Sequence, residues 1–372
     1  MTKTNVPTVL LVSFVVLSAT LANVLVLSAS DTPTVTIFSS GKMQQQIPVV
    51  NAVVHKALLC WGGVPSEDVG FAAQFDWIYM SSETYQLIPS IRLMNPNILI
   101  IGYVESESPT SGSSPYNNFT VSFPETCYFH DVNGNRLHFA DGTPFMNISD
   151  PTWQGICASS AAWLVANGCD GVMVDDVWAN FYTGIYGLNA DPAPSASWWN
   201  SYDTGAKYTR WQTAMRTLLT AVQVAVGKKV VCYNGSQGGS TVYPDVCGAA
   251  NLEDFAFTGA TDTLNWINTL ETLSVTGKYV IAEPHNQAAD TEANYLYGLC
   301  CYMLGMNGPN TYYCFKSYWA SSKGFYSSDF NRNFGRPLGS KVQVAASVWT
   351  REFENCTVTA DFQSQTGQIV MR

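Results

Sequence analysis

Charge is scarce in this chain of 372 residues. Asp, Glu, Lys and Arg together make up 12%, about half the usual share in a globular protein. Only 18 residues are Lys or Arg, against 28 Asp and Glu, and no basic run occurs. Nucleic-acid binding needs a clustered basic surface, which a formal net charge of −10 does not supply. Histidine is scarcer still, with four residues and no HExxH or similar spacing. There is no CxxC pair and no zinc-like cysteine spacing, so no metal site is expected. No Gly-rich phosphate loop follows the first apolar run, and no organic cofactor is implied.

Long hydrophobic runs are also few. One covers Val6 to Ser28, with Lys3 as the single charged residue among the first 30 and "SAS" at 28–30 ahead of Asp31. This reads as a secretory signal peptide, or as a membrane anchor, since the run is long enough to span a bilayer. The expected location is therefore secreted or extracellular, with membrane association through residues 1–30 if they stay attached. Export would permit disulfides among the ten cysteines. Cys60, Cys169, Cys232 and Cys314 lie in apolar runs, where a thiol behaves as a small hydrophobe. Cys127, Cys157, Cys247 and Cys356 are the better bridge candidates. Glycosylation sequons stand at Asn118, Asn147, Asn234 and Asn355.

Apolar and aromatic residues are abundant, with 11 Trp and 19 Tyr. After a Thr/Ser/Gln-rich linker over 31–50, eight short apolar runs recur. They are HKALLCWGG (55–63), FDWIYMSS (75–82), NILIIGYVES (97–106), CDGVMVDDV (169–177), KVVCYNGS (229–236), NLEDFAF (251–257), KYVIAEPHN (278–286) and NTYYCFKS (310–317). Most are continuous rather than alternating, as expected for strands buried on both faces of a parallel sheet. Helical patterns lie between them. The segment 150–168 begins with Asp150 as N-cap and Pro151 at the first helical position, and ends at Gly168. Segments 208–229 and 290–308 have helical spacing too. Eight strands alternating with helices predict a (β/α)8 TIM barrel over 51–346. The tail, 347–372, alternates apolar and polar residues around Glu354–Asn355 and predicts a β-hairpin extension.

Barrel active sites sit at the C-terminal strand ends. Those ends carry Trp61, then Tyr103 and Glu105, then Asp175 and Asp176. Tyr233 and Asn234, Glu253 and Asp254, Glu283 and His285, and Lys316 follow. The ring is rich in carboxylates and aromatics and poor in His. Two carboxylates facing one cavity are what glycoside hydrolysis needs: one ionised, one holding a proton for the leaving oxygen. Trp178, with Phe181, Tyr182, Trp198, Trp199 and Tyr202, falls in a long fourth loop that would overhang the mouth and offer flat faces to sugar rings. Side chains alternate along a strand, so only one of Asp175 and Asp176 points inward. Asp170, at the start of its strand, is placed at the barrel bottom. Two other functions fit part of this pattern. A non-catalytic glycan-binding or cell-envelope barrel would keep the aromatics without needing an acid/base pair. A metal-dependent hydrolase could use Asp175, Asp176, Glu283 and His285, although such sites usually carry more His.

Taken in order, FDWIYM, NPNILIIGYVES, CDGVMVDDV, VVCYNGS, NLEDFAF and REFENCTVTADF resemble the hypothetical glycoside-hydrolase-like proteins of archaea and bacteria. That family is distantly similar to endo-α-1,4-polygalactosaminidases. The resemblance covers residues 55–362. It implies a barrel with a small C-terminal β extension, and a polysaccharide or oligosaccharide substrate. Family members commonly read Asp-Gly-Val-x-x-Asp-Asn at strand four and Glu-x-Phe at strand six. Carried over, these place a nucleophile or electrostatic stabiliser at Asp175 and a general acid/base at Glu253. Asp176 stands where the family often has Asn. Trp61, Tyr103, Asp176, Trp178, Asn234, Glu283 and His285 are the expected substrate-binding residues.

Overall fold

The computed structural model describes residues 54–60, 64, 66–109, 123–130, 134–139, 142–179, 204–235, 242–284, 291–315 and 327–372. All eight expected strands form. They are β1 (His55–Cys60), β2 (Trp77–Met80), β3 (Leu99–Glu105), β4 (Gly171–Asp175), β5 (Val230–Asn234), β6 (Ala249–Glu253), β7 (Tyr279–Glu283) and β8 (Thr311–Tyr313). Each pairs in parallel with its sequence neighbour, and β1 pairs with β8 to close the barrel. The sixth strand begins two residues earlier than the sequence suggested, because Ala249 and Ala250 take part in it.

Helices α1 (Val69–Ala72), α2 (Ile88–Met94), α3 (Pro151–Ala166), α4 (Thr204–Val226), α5 (Ala260–Ser274) and α6 (Glu292–Gly305) fill the connections. Asp150 caps α3 as expected. Its side chain accepts from the backbone N–H groups of Thr152 and Trp153, which offsets donors that have no partner in the first helical turn. The described part of the β5–β6 connection is a turn.

Two separate cores follow from strand alternation. One fills the barrel with Ala57, Leu59, Trp77, Tyr79, Ile101, Met173, Cys232, Ala249, Ile281, Tyr312 and Cys314. The other lies between strands and helices and takes the alternate positions, among them Val104, Val172, Val174, Val231, Leu252 and Val280. Trp77, Tyr79, Tyr279 and Tyr312 pack ring against ring in the interior. Each such buried ring contributes roughly 1.5–3 kcal/mol of burial free energy. At the lower rim, where it was expected, Asp170 accepts from Arg92 Nη2 at 2.6 Å and from the Ile100 amide at 3.0 Å.

The tail is more than a hairpin. Strands β9 (Val342–Gln343), β10 (Val348–Glu352), β11 (Cys356–Asp361) and β12 (Thr366–Met371) form a four-stranded antiparallel sheet in the order β12-β11-β10-β9. The expected turn joins β10 to β11, and a second turn after Asp361 adds the third long strand. The inner face of this sheet covers α6. A side chain at Gly367 would put its Cβ 2.8 Å from the Leu296 carbonyl oxygen, so the close approach requires glycine there. From Tyr295 onward helix α6 is buried almost all round, which matches its apolar sequence beyond the first turn. Arg351 reaches from β10 to the end of that helix. Its Nη1 donates to the carbonyls of Met303, Leu304 and Met306, and its Nε donates to that of Gly339.

All ten cysteines are buried free thiols, including Cys127, Cys157, Cys247 and Cys356. The bridges expected at those four are therefore not formed. Each of the four is buried in the fold as a free thiol. Residues 1–53, with the expected leader or anchor and linker, lie outside the described residues. Among the described residues no helix is long and apolar enough to cross a membrane.

Candidate active site

The inward positions change character from bottom to top of the barrel. On β3 the series runs Leu99, Ile101, Tyr103, Glu105. On β4 it runs Gly171, Met173, Asp175, and on β5 Val230, Cys232, Asn234. On β6 it runs Ala249, Asn251, Glu253, and on β7 Tyr279, Ile281, Glu283. The continuous apolar runs thus end in polar side chains on the interior face. Register aligns Glu105 with Asp175, Asn234 with Asn251, and Glu253 with Glu283.

These side chains form one hydrogen-bonded network. The Asn234 amide donates to Asp175 Oδ1 at 2.7 Å and to Glu253 Oε2 at 2.6 Å. Laid end to end these two bonds limit the separation of the two carboxylate oxygens to about 5.3 Å. Asp175 Oδ1 also accepts from the Asp176 backbone N–H at 2.9 Å, and the Tyr103 hydroxyl lies 2.8 Å from Asp175 Oδ2. The same hydroxyl lies 2.5 Å from Glu105 Oε2. On the far side, the Asn251 amide donates to Asn234 Oδ1 at 3.2 Å and to Glu283 Oε2 at 2.8 Å. Asn234 is 2% exposed. With its amide engaged in the barrel interior, its sequon is closed to glycosylation in the folded protein.

Backbone strain accompanies two of these strand ends. Asp176, directly after Asp175, has φ 53°, and Asp254, directly after Glu253, has φ 63°. Left-handed backbone is costly for residues with a Cβ, and Asp tolerates it better than most. The effect is a sharp turn as each strand reaches the mouth. Gly235 serves the same rim. Its φ of 140° and a would-be Cβ contact of 2.2 Å with the Val177 carbonyl oxygen both demand glycine. There the Val177 amide donates to the Asn234 carbonyl at 2.7 Å, tying the fourth loop to β5.

Burial dominates the electrostatics. It pushes the Asp175 carboxyl above the ordinary carboxylate range, while bonds from Tyr103, the Asp176 amide and Asn234 pull it back. Burial raises Glu105 to about 8, helped by the charge of Asp175. Asp176 and Glu107 stand well above the ordinary range, again through burial first and neighbouring carboxylates second. The Tyr103 phenol is held neutral by burial and by Asp175 and Glu105.

The structure therefore brings together Tyr103, Asp175, Asn234 and Glu253, with Glu283 joined through Asn251. Asp176 receives the Trp178 indole N–H at 3.1 Å and lies within hydrogen-bonding reach of Glu105. Trp178 is 6% exposed, and its carbonyl accepts from Trp211 Nε1 and the Tyr243 hydroxyl. It anchors the start of the fourth loop and offers little open face to a sugar. Trp61, His285 and Lys316 lie outside the described residues, as do Phe181, Tyr182, Trp198, Trp199 and Tyr202. Two members of the cluster were not singled out from sequence, Asn251 and Glu107. Each lies two residues from a strand-end carboxylate, in NLE and ESE, and period two alone could have found them. Among the described residues, no group of three or more His, Cys, Asp or Glu side chains is arranged to hold a metal ion.

The profile of the hypothetical glycosyl hydrolase family 15 matches residues 93–357, which include β3 through β10 and the whole network. The chain belongs to this family. Several solved structures have similar folds. An α-galactosidase from Thermus thermophilus, in complex with p-nitrophenyl α-D-galactopyranoside, superposes with a TM-score of 0.50 at 10% identity. The match covers 85% of this chain and 68% of that one, and it shows a shared barrel fold. The glycoside hydrolase domain of PelA from Pseudomonas aeruginosa is similar at 13% identity and a TM-score of 0.48, over 73% of this chain and 97% of that one. Ega3 from Aspergillus fumigatus, in complex with galactosamine, is similar at 15% identity and a TM-score of 0.45, over 73% and 94%. No curated protein sequence matches the chain.

Proposed function

We propose that the protein is a retaining glycoside hydrolase that cleaves an O-glycosidic bond of a polysaccharide, with Asp175 as nucleophile and Glu253 as general acid/base. The observation that carries this reading is the single Asn234 amide bonded to both carboxyl groups. It holds one pair of their oxygens, Asp175 Oδ1 and Glu253 Oε2, no more than about 5.3 Å apart, short of the 6.5–9.5 Å that leaves room for an inverting water.

Donor counting names the attacking atom. Asp175 Oδ1 takes two N–H donors, which fill its lone pairs. Among the described residues Oδ2 takes only the Tyr103 hydroxyl, which leaves a lone pair for the sugar. In the first step Oδ2 bonds to the anomeric carbon, the bond to the leaving oxygen breaks, and Glu253 gives that oxygen its proton. In the second step Glu253 takes a proton from water, whose oxygen displaces Asp175 from the anomeric carbon. Asp176 and Trp178 hold the start of the fourth loop beside this centre, and Glu283 steadies Asn251 and hence Asn234. Export through residues 1–30 would make the target an extracellular polysaccharide.

The test is reducing-end release from a panel of polysaccharides that includes galactosamine-rich ones, with Asp175→Asn and Glu253→Gln in parallel. Release by wild type and its loss in both variants is expected. The anomeric configuration of the first product, followed by NMR, should match that of the substrate. Full activity in Asp175→Asn, or an inverted product, would overturn the assignment. Binding without release in all three proteins would instead favour a non-catalytic glycan-binding barrel.

A further inference from the structure

We propose that Asn251 is a positioning residue that sets which end of the Asn234 amide faces the catalytic pair, and that Glu283 sets Asn251 in turn. This role rests on the reading of Asp175 as nucleophile and Glu253 as acid/base.

The two ends of an asparagine amide are nearly equal in size and opposite in chemistry. The nitrogen offers two hydrogens and the oxygen two lone pairs. Packing cannot choose between the two orientations of such a group, so its hydrogen-bond partners must. Asn234 and Asn251 are both buried and stand opposite each other on β5 and β6. Asn234 Nδ2 donates to Asp175 Oδ1 at 2.7 Å and to Glu253 Oε2 at 2.6 Å. Asn251 Nδ2 donates to Asn234 Oδ1 at 3.2 Å and to Glu283 Oε2 at 2.8 Å. All four amide hydrogens are thus in use.

Turning Asn234 alone would set its hydrogens against those of Asn251 and its oxygen against two carboxyl oxygens. Turning both amides would regain one bond, from Asn234 to Asn251. The Asn251 oxygen would then meet Glu283 Oε2, and its nitrogen would stand where its oxygen stands now. That site offers no hydrogen-bond partner among the described residues. Four N–H bonds would fall to one, and every further bond would need a proton on a carboxyl oxygen. Asp175 would lose the Asn234 donor in either case.

The Asn251 oxygen points the same way. It is buried without a donor among the described residues, which is a cost to the fold. What Asn251 contributes is its two hydrogens, one to Asn234 and one to Glu283. Polarity therefore passes along one layer of the barrel, from Glu283 on β7 through Asn251 on β6 and Asn234 on β5 to Asp175 on β4.

The test exchanges the amide and the carboxyl, in the double variant Asn251→Asp/Glu283→Gln. Net charge is unchanged, each replacement is close in shape, and the new glutamine amide can donate to the carboxylate at position 251. That carboxylate cannot donate to Asn234, so Asn234 should turn its nitrogen away from the catalytic pair. The exchanged protein should unfold near the wild-type temperature and lose about a hundredfold in kcat/KM. Its acid limb should move up, since the Asn234 donor lowers Asp175. Neutron diffraction from deuterium-exchanged crystals should show the wild-type Asn234 deuterons on Asp175 and Glu253, and the reverse sense in the exchanged protein. A folded exchange variant with kcat/KM within about threefold of wild type, the result expected of a purely structural pair, would overturn the proposal. If that variant does not fold, the wild-type neutron structure decides, and either amide in the reverse sense would overturn it. If the wild type hydrolyses nothing, or Asp175→Asn keeps its rate, the catalytic reading fails instead, while the neutron structure still fixes the sense of both amides.

Discussion

Replacing Asn234 by Ala tests the centre of the site with one substitution. The amide bonds to Asp175 Oδ1 at 2.7 Å and to Glu253 Oε2 at 2.6 Å, and its carbonyl oxygen accepts from Asn251. A hydrogen bond to an ionised group is worth about 1.5–3 kcal/mol. Only the part that grows towards the transition state affects the rate. If both carboxyl groups lose their fixed position, about 3–4 kcal/mol of transition-state stabilisation goes, a fall of about 10²–10³ in kcat/KM. The pH profile should change as well. Asn234 is one of the donors that pull Asp175 down, so without it Asp175 holds its proton to higher pH. The acid limb of kcat/KM should then move up. The assay is initial-rate reducing-end release from pH 4 to 9, with thermal unfolding alongside to show that the variant is folded. A folded Asn234→Ala with kcat/KM within about threefold of wild type, and the same acid limb, would refute the idea that this amide sets the pair.

Three further outcomes follow from the geometry. Arg351→Ala removes the donors from three carbonyls at the end of α6, and should cost about 3 kcal/mol or more in denaturant unfolding. The folded fraction should keep its specific activity. Glu105, raised to about 8, keeps its proton in the folded state where an unfolded Glu, at about 4.5, has lost it. Stability should therefore fall as pH rises from about 5 to 8, by about 1.4 kcal/mol per pH unit for one such group, and Glu105→Gln should flatten the slope. With ten buried thiols, alkylation of the denatured protein should label ten cysteines without prior reduction, and alkylation of the native protein should label few; recovery of a disulfide-linked peptide would contradict the structure.

The barrel was legible because strands buried on both faces cannot carry polar residues until they reach the mouth. That rule located all eight strands and put Asp175, Asn234 and Glu253 at their upper ends. It was weakest at β6, where Ala249 and Ala250 are too small to read as a strand start. Alternation predicted that one of Asp175 and Asp176 would face inward, and Asp175 does. The bonds from Asn234 and Tyr103 could not be read, since they depend on register between strands far apart in sequence. Asn251 and Glu107 were passed over because each was weighed alone rather than as the next inward position from Glu253 or Glu105. The cysteines misled for the opposite reason. Neighbours in sequence say little about what a side chain on α3 or β11 meets in space.

The position of α6 has a consequence for biosynthesis. The ribosome completes all eight barrel strands before it reaches residue 342, yet β10, β11 and β12 cover the outer face of α6. Until those last residues emerge, the seam that closes β7 and β8 against β1 is backed by a helix with one greasy side in water. A nascent chain stalled near residue 340 should therefore hold an open or fluctuating barrel, and the catalytic ring would assemble only after translation has passed it by.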